Sequence, residues 1–314
     1  MTADRDAMAI GLVQQVHLEL DPLTQVSEGG TALDVIRSAV ARSTIRLVSH
    51  DPIARAGEDP EGVHQVRVAV RRLRSDLLTF RPLVDRDWAE ALRVELRWLG
   101  RLLAPVRDAE VLGARLQERI EAMVGLELAS AKVLLDGLED DRREARRRLL
   151  DGLDSRRYGE LVVRLVRAAL EPVARSGLVE RPPVNLGSLM DRPWADLSKR
   201  AAALGSGSSD AALHATRIDA KRVRYGAEVL APVFGKRATR FASAAEALQE
   251  VLGEHQDAVV AMAWLADRGI EADDQAVAFT AGRLAELEAA SRDRARKRWP
   301  KSWKRLDRSK RFWR

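Results

Sequence analysis

No cysteine occurs in the chain, which excludes disulfides and thiolate-held metals and fits a reducing cytoplasm. Aromatic residues make up only 4% of the sequence against 46% hydrophobic residues, the remainder of the core-forming set being rich in Ala and Leu, so helix is favoured over sheet. Long apolar runs are missing too. The N-terminal MTADRDAMAIGLVQQVHLEL carries acids near its start and reads as neither signal peptide nor membrane span. HxxxH, paired-acid and Gly-rich phosphate-loop motifs are also lacking, which argues against a resident metal or cofactor. What remains is a helical, soluble, cytoplasmic protein without a membrane partner.

The 314 residues carry a formal charge of +6 that is unevenly spread. Residues 1–30 hold one Arg against five acids, whereas residues 291–314 hold twelve Lys/Arg against two Asp. The intervening chain is charge-balanced. Binding of a polyanion must therefore be argued from where cations sit, not from the isoelectric point.

One stretch is written twice. VHQVRVAVRRLRSDLLTFRPLV at 63–84 aligns with LHATRIDAKRVRYGAEVLAPVF at 213–234 at a spacing of 150, superposing His64 on His214, Arg67 on Arg217, and Arg71, Arg72 and Arg74 on Lys221, Arg222 and Arg224. The repeat extends into the next segment, where Asp108 matches Asp257 at a spacing of 149. Such self-similarity implies two copies of one structural unit.

The chain divides accordingly. Residues 1–30 read as an irregular or short extended arm in which His17 is a plain surface residue. A first helical bundle covers 31–175. It opens with a helix N-capped by Thr31 and closing at His50, then a loop DPIARAGEDPEG, the first repeated helix, a long helix from about Asp85 that Pro105 kinks or breaks, and helices near 127–150 and 154–171. The Pro-rich 176–187 is a linker, and 188–314 forms a second bundle whose basic C-terminal stretch is interrupted at Pro300. The mixed-charge runs DDRREARRRLL and DSRRYGELVVRLVR read as salt-bridged exposed faces.

On a helical wheel with His64 as origin, Arg67, Arg71 and Arg74 fall at roughly 300°, 340° and 280°, while Val63, Val66, Val70, Leu73, Leu77 and Phe80 cluster around roughly 220°. The cations thus flank the buried face. His214, Arg217, Lys221 and Arg224 repeat the stripe, with Tyr225 joining it, whereas Arg72 and Arg222 point elsewhere. Stacked like charges repel unless acids are interleaved, and neither Asp76 nor Asp219 lies in a stripe. Matched twice, the pattern points to a shared cleft for a multiply charged anion: Arg supplies forked donors to phosphate oxygens, Lys a mobile charge, and His a donor favoured at lower pH.

These motifs resemble the CHAD family, the conserved histidine α-helical domain, with its HxxRxxxRRxR signature repeated in the second half. The likeness runs from about Thr31 to Trp313 and includes an LGxxxD-type third helix and the terminal Phe312-Trp313. It implies an all-α fold of two pseudo-symmetric four-helix bundles around a basic cavity, and binding of inorganic polyphosphate without catalysis. By that resemblance the contacts are His64, Arg67, Arg71, Arg72, Arg74, His214, Arg217, Lys221, Arg222 and Arg224. Arg37, Arg46, Lys199, Lys304 and Arg305 are further cations that could line the groove. Residues 1–30 lack the ExExK motif of a CYTH triphosphatase, so a stand-alone member that associates with polyphosphate granules is expected.

Two other classes compete. His64 and His255-Gln256-Asp257 would suit a phosphate-ester or polyphosphate-metabolising enzyme, although His255 reads more simply as a helix residue and Asp108 and Asp257 as groups that orient arginines or cap a helix. Trp299, Trp303 and Trp313 among Lys/Arg would suit nucleic-acid binding, although a terminal helix packing its Trp residues on the second bundle explains them more simply.

Overall fold

The computed structural model describes residues 11, 13–26, 30–121, 123–175 and 185–314. Residues 13–20 form α1, and a 3-10 turn follows at Asp21–Leu23. The first half continues as α2 (Ala32–Ala56), α3 (Pro60–Thr79), α4 (Arg86–Ile120), α5 (Gly125–Leu153) and α6 (Arg156–Leu170). A 3-10 turn at Leu186–Met190 leads into α7 (Asp191–Ala202), α8 (Asp210–Phe234), α9 (Lys236–Glu271) and α10 (Gln275–Asp307). Strands are absent among the described residues except for one isolated antiparallel bridge, Val84–Ala174. The all-α expectation holds, and among the described residues no helix is long and apolar enough to cross a membrane.

The N-terminal segment departs from the expected arm. Its residues 13–20 are helical because Val16 and Leu20 supply a buried face four residues apart, 2% and 0% exposed. His17 is not a plain surface residue: its Nε2 lies 2.9 Å from Ser49 Oγ on α2, and its Nδ1 faces Asp21. Residues 1–10 of this segment lie outside the described residues.

Thr31 caps α2 as expected, its hydroxyl accepting from the Asp34 N–H while Asp34 accepts from the Thr31 N–H. The helix does not stop at His50. It passes through Pro52 to Ala56 and ends at Gly57, whose φ of 75° reaches the left-handed region. Buried Asp51 holds this extra turn, accepting from Arg55 Nε at 2.8 Å and from the Tyr158 hydroxyl at 3.1 Å. Only residues 57–59 remain of the expected loop, with Asp59 capping α3 and Pro60 in its first turn. Pro105 and Pro300 likewise sit inside single helices. Of the expected linker, 176–184 lie outside the described residues, whereas Leu186 and Gly187 are buried.

α2 packs on α3, α3 on α4 and α8, α8 on α9, and α9 on α10. The main buried cluster draws on both halves of the chain, from Val16 to Ala169 and from Leu186 to Trp313, and a smaller one joins α4, α5, α9 and α10 through Leu116, Leu134, Leu265 and Leu284. The C-terminal Trp residues belong to the core: Trp303 stacks on Trp194 with centroids 5.7 Å apart, Trp313 meets Phe241 edge-on at 5.0 Å, and Trp313 Nε1 donates to Asp191 at 3.0 Å.

The α2–α3 approach is close enough to predict a mutant. A Cβ added at Gly62 would lie 2.4 Å from the Ala54 backbone N and 2.6 Å from the Ile53 carbonyl carbon, and neither backbone atom can swing away. Gly62→Ala is therefore expected to destabilise by at least the ~1–3 kcal/mol typical of overpacking, read as a lowered Tm in thermal unfolding. An unchanged Tm would show that the two helices can separate freely.

Candidate anion-binding site

The crossing of α3 and α8 turns the two repeated stripes toward one cleft of about 410 Å³. His64, Arg67 and Arg71 line it from α3, and His214, Arg217 and Lys221 from α8. The long helices that follow each copy add Arg107, Asp108, Val111, Leu112 and Arg115 on one side and Gln249, Gln256, Asp257 and Val260 on the other. Six cationic side chains thus face two carboxylates, with two histidines beside them.

The electrostatics bear the mark of this crowding. Burial and the neighbouring Arg217, Arg71 and Arg67 push the Lys221 ammonium down to about 7, with Asp257 opposing. Burial lowers Arg217 and Arg67 from their ordinary values, with other arginines adding to the effect and Asp257 and Asp108 respectively resisting it. His64 is lowered by burial and by Arg107, Arg71 and Arg67, although Glu61 pulls the other way. Asp257 is raised by burial despite Arg217.

Several donors are held ready. Arg67 Nη2 reaches Asp108 at 3.1 Å, so that aspartate does orient an arginine of the cleft. Arg71 Nε donates to the Tyr225 hydroxyl at 2.6 Å, fixing its guanidinium across the helix crossing. Arg217 Nε and His214 Nδ1 are buried without a hydrogen-bond partner among the described residues. An unpaired buried donor costs free energy, and an incoming oxyanion would remove that cost.

A family model described as CHAD domain matches residues 38–266. The chain belongs to the CHAD family. The Mycobacterium tuberculosis proteins named "Uncharacterized protein MT2285" and "Uncharacterized protein Rv2226" are each 32% identical to it over 283 residues, covering 88% of this chain and 54% of their own length. The chain therefore spans about half the length of the curated relatives it matches. Among solved structures, the CHAD domain from the plant Ricinus communis superposes with a TM-score of 0.72 at 27% identity, covering 89% of this chain and 93% of that one. PptA from Streptomyces chartreusis gives 0.73 at 22% identity, covering 87% and 99%, which is a likeness of fold.

The CHAD signature does not converge as a block. Arg72 leaves the cleft and pairs with Glu228 at 2.5 Å, with its guanidinium 5.3 Å from the Tyr225 ring centroid. Arg74 faces Arg93 and Arg97 of α4, and its Nε is buried without a partner among the described residues. Arg222 pairs with Asp219 at 3.1 Å, and Arg224 with Glu228 and Glu246 at 2.7 and 2.6 Å. Of the further cations, Arg37 pairs with Asp34, Arg46 faces Arg72 and Glu228, and Lys199, Lys304 and Arg305 are exposed outside the cleft.

Arg107 and Arg115 are cleft residues that the stripe pattern passes over. The alignment of Asp108 with Asp257 contained a signal for the first, because at the same spacing of 149 Arg107 falls on Gln256 and Val111 on Val260, and all four line the cleft. His255 is not among the lining residues. It is 1% exposed and its Nε2 meets Asp210 at 2.9 Å, on a carboxylate that Arg296 also holds.

Proposed function

We propose that this CHAD protein binds inorganic polyphosphate in the α3–α8 cleft and performs no chemistry on it. The observation that carries this reading is the convergence of two repeat-matched His/Arg/Lys triplets on one cleft whose lining holds six cations to two carboxylates. A linear polyphosphate presents a row of oxyanions that forked arginine donors and a mobile lysine can grip without reading any base. Asp108 is tied to Arg67 and Asp257 faces Arg217, so the cleft carboxylates steady cations in place of acting as an acid–base pair. In the cell the protein would follow polyphosphate, including its granules.

Competition tests the reading. Long-chain polyphosphate should displace DNA at far lower phosphate concentration than DNA displaces polyphosphate, since the tryptophans that would offer stacking platforms are committed to the aromatic core. Equal displacement would sink the specificity, and turnover of polyphosphate by pure protein would sink the absence of chemistry.

The pH dependence has a definite sign. The Lys221 ammonium is pushed down to about 7 by burial and the neighbouring arginines, and a bound polyanion favours its charged form, so binding takes up a proton at and above that pH. Affinity should therefore be greatest below pH 7 and fall as pH rises toward 9. Lys221→Arg, which stays charged throughout, should flatten that slope. A wild-type affinity that rises with pH would contradict the assignment.

A further inference from the structure

A groove of about 930 Å³ runs between α4 and α5 and meets the anion cleft only along Arg107, Val111 and Arg115. On α4, Arg107, Glu110, Val111, Ala114, Gln117 and Glu118 recur every three or four residues and so share one side of the helix. Leu135, Asp136, Leu138, Glu139 and Arg142 face them from α5, and Gly57, Glu58 and Pro60 of the α2–α3 junction complete the wall. The floor is apolar. Ala109 and Leu138 are buried there, with Val111 and Leu135 half-buried beside them.

The charge of this groove is opposite to that of the cleft. Six carboxylates, those of Glu58, Glu110, Glu118, Asp136, Glu139 and Glu254, face three arginines. All three arginines are already held: Arg107 by Glu110 at 3.2 Å, Arg142 by Glu139 at 2.7 Å, and Arg115 by Glu254 at 2.8 Å and by Glu288 at 2.5 Å. Among the described residues no cation lies within ion-pair distance of Glu58, Glu118 or Asp136. Burial pushes the Glu110 carboxyl above its ordinary value, although Arg107, Arg142 and Arg146 oppose the rise. A chain of net charge +6 thus carries a locally negative groove, which repels a polyanion and attracts a cation.

The duplication does not account for it. At the spacing of 149 that aligns Asp108 with Asp257, Gly113 and Arg115 fall on Met262 and Trp264, and Trp264 packs on the smaller core cluster. The first copy therefore has a glycine where the second has a large side chain. A Cβ added at Gly113 would meet only Leu138 Cδ2, at 3.6 Å, which is an ordinary contact. Glycine inside a helix is destabilising, and close packing does not require it here.

Size and chemistry select the occupant. Between Arg107 and Glu118 α4 rises about 16 Å, the length of about three helical turns, and the volume lies near the top of the range of about 300–1,000 Å³ common for binding sites. A small polycation would satisfy the carboxylates and leave the apolar floor wet. An amphipathic helix rich in Lys or Arg satisfies both, with apolar residues on the floor and its long cationic side chains reaching the walls. We infer that the α4–α5 groove is a docking site for a Lys/Arg-rich amphipathic helical segment of a partner protein.

The test is an anisotropy titration of the full chain with a fluorescent peptide about 15 residues long, enough to fill the groove, that carries Leu along one helical face and Lys on the other. Wild type is compared with Glu58→Gln/Glu118→Gln/Asp136→Asn, which removes the free charges, and with Gly113→Leu, which fills the floor and keeps every charge. Each variant should bind the peptide about tenfold more weakly, the first through the loss of three exposed ion pairs and the second through overpacking of the floor. Tm should not fall and tripolyphosphate affinity should stay at its wild-type value, since none of the four residues lines the anion cleft. A peptide of the same composition with Leu and Lys scrambled should bind more weakly than the patterned one. Absence of binding by wild type, equal binding of the scrambled peptide, or undiminished binding by the folded variants would overturn the inference. Displacement of the peptide by spermine with no effect of Gly113→Leu would make a small polycation the occupant, and self-association of wild type that Gly113→Leu abolishes would make it a second copy of this chain. Either result would equally overturn it.

Discussion

Alanine at His64, Arg67 and Arg71 together is expected to weaken polyphosphate binding about 100-fold or more, and alanine at His214, Arg217 and Lys221 to do the same. Each charge-assisted hydrogen bond contributes about 1.5–3 kcal/mol, and a hundredfold loss is about 2.8 kcal/mol. Three lost donors exceed that figure even after the mutual repulsion of the cations they leave behind is relieved. Salt should expose the same change, because fewer phosphates neutralised means a shallower dependence of log Kd on log salt, by about two for each triple variant. Folding should survive, since the removed cations are crowded against one another and His214 and Arg217 each bury an unpaired nitrogen. A folded triple variant with wild-type affinity would place the binding surface elsewhere.

Glu288→Ala is expected to produce the largest loss of stability. Glu288 is 0% exposed on α10 and accepts from Arg115 Nε at 2.6 Å and from Arg119 Nε at 2.8 Å, tying the end of α4 to α10. Arg115 also forks onto Glu254 of α9, and these carboxylates hold its guanidinium well above its ordinary value against the effect of burial. Removing Glu288 leaves two arginines facing each other in a half-buried site. Breaking a buried ion pair by deleting one partner costs about 3–5 kcal/mol, which denaturant unfolding would report as a lower midpoint. Glu288→Gln keeps an acceptor and should lose less. A loss below about 1 kcal/mol for the alanine variant would mean that Glu254 alone satisfies Arg115.

The helices carrying the site were legible because their chemistry is local. The Thr31 cap, the apolar periodicity of α3 and the duplicated cation spacing all act within one or two turns. What misled was proline. Pro52, Pro105 and Pro300 each cost their helix an N–H and a steric clash, yet contacts distant in sequence outweigh that cost. For Pro52 those are the bonds of buried Asp51 to Tyr158 and of Arg55 to Asp154 and the Leu153 carbonyl, and for Pro300 the core packing of Trp299 and Leu306 on either side. The N-terminal helix escaped notice for a related reason, since its stability comes from docking Val16 and Leu20 rather than from its own weak pattern.

In the site, the wheel separated the stripe from Arg72, and in the structure that residue turns to Glu228. It could not separate Arg74 and Arg224 from the cleft, because both share the stripe's face, and only the packed neighbours turn Arg74 toward Arg93 and Arg97 of α4 and tie Arg224 to Glu228 and Glu246. Arg107 and Arg115 were hidden in a charge-balanced run: Glu110 three residues on makes Arg107 look like an ordinary surface residue, and the partner of Arg115, Glu254, lies on α9, far away in sequence.

The central claim is that both repeated helices grip one ligand in one cleft. Calorimetric titration with tripolyphosphate, fitted for stoichiometry as well as affinity, tests it most directly. The shared cleft predicts one ligand per chain in wild type, and for either triple alanine variant the same stoichiometry with a much weaker Kd. Two ligands per chain in wild type, with each triple variant losing one of them while the other keeps its affinity, would show two independent helix sites and contradict the account.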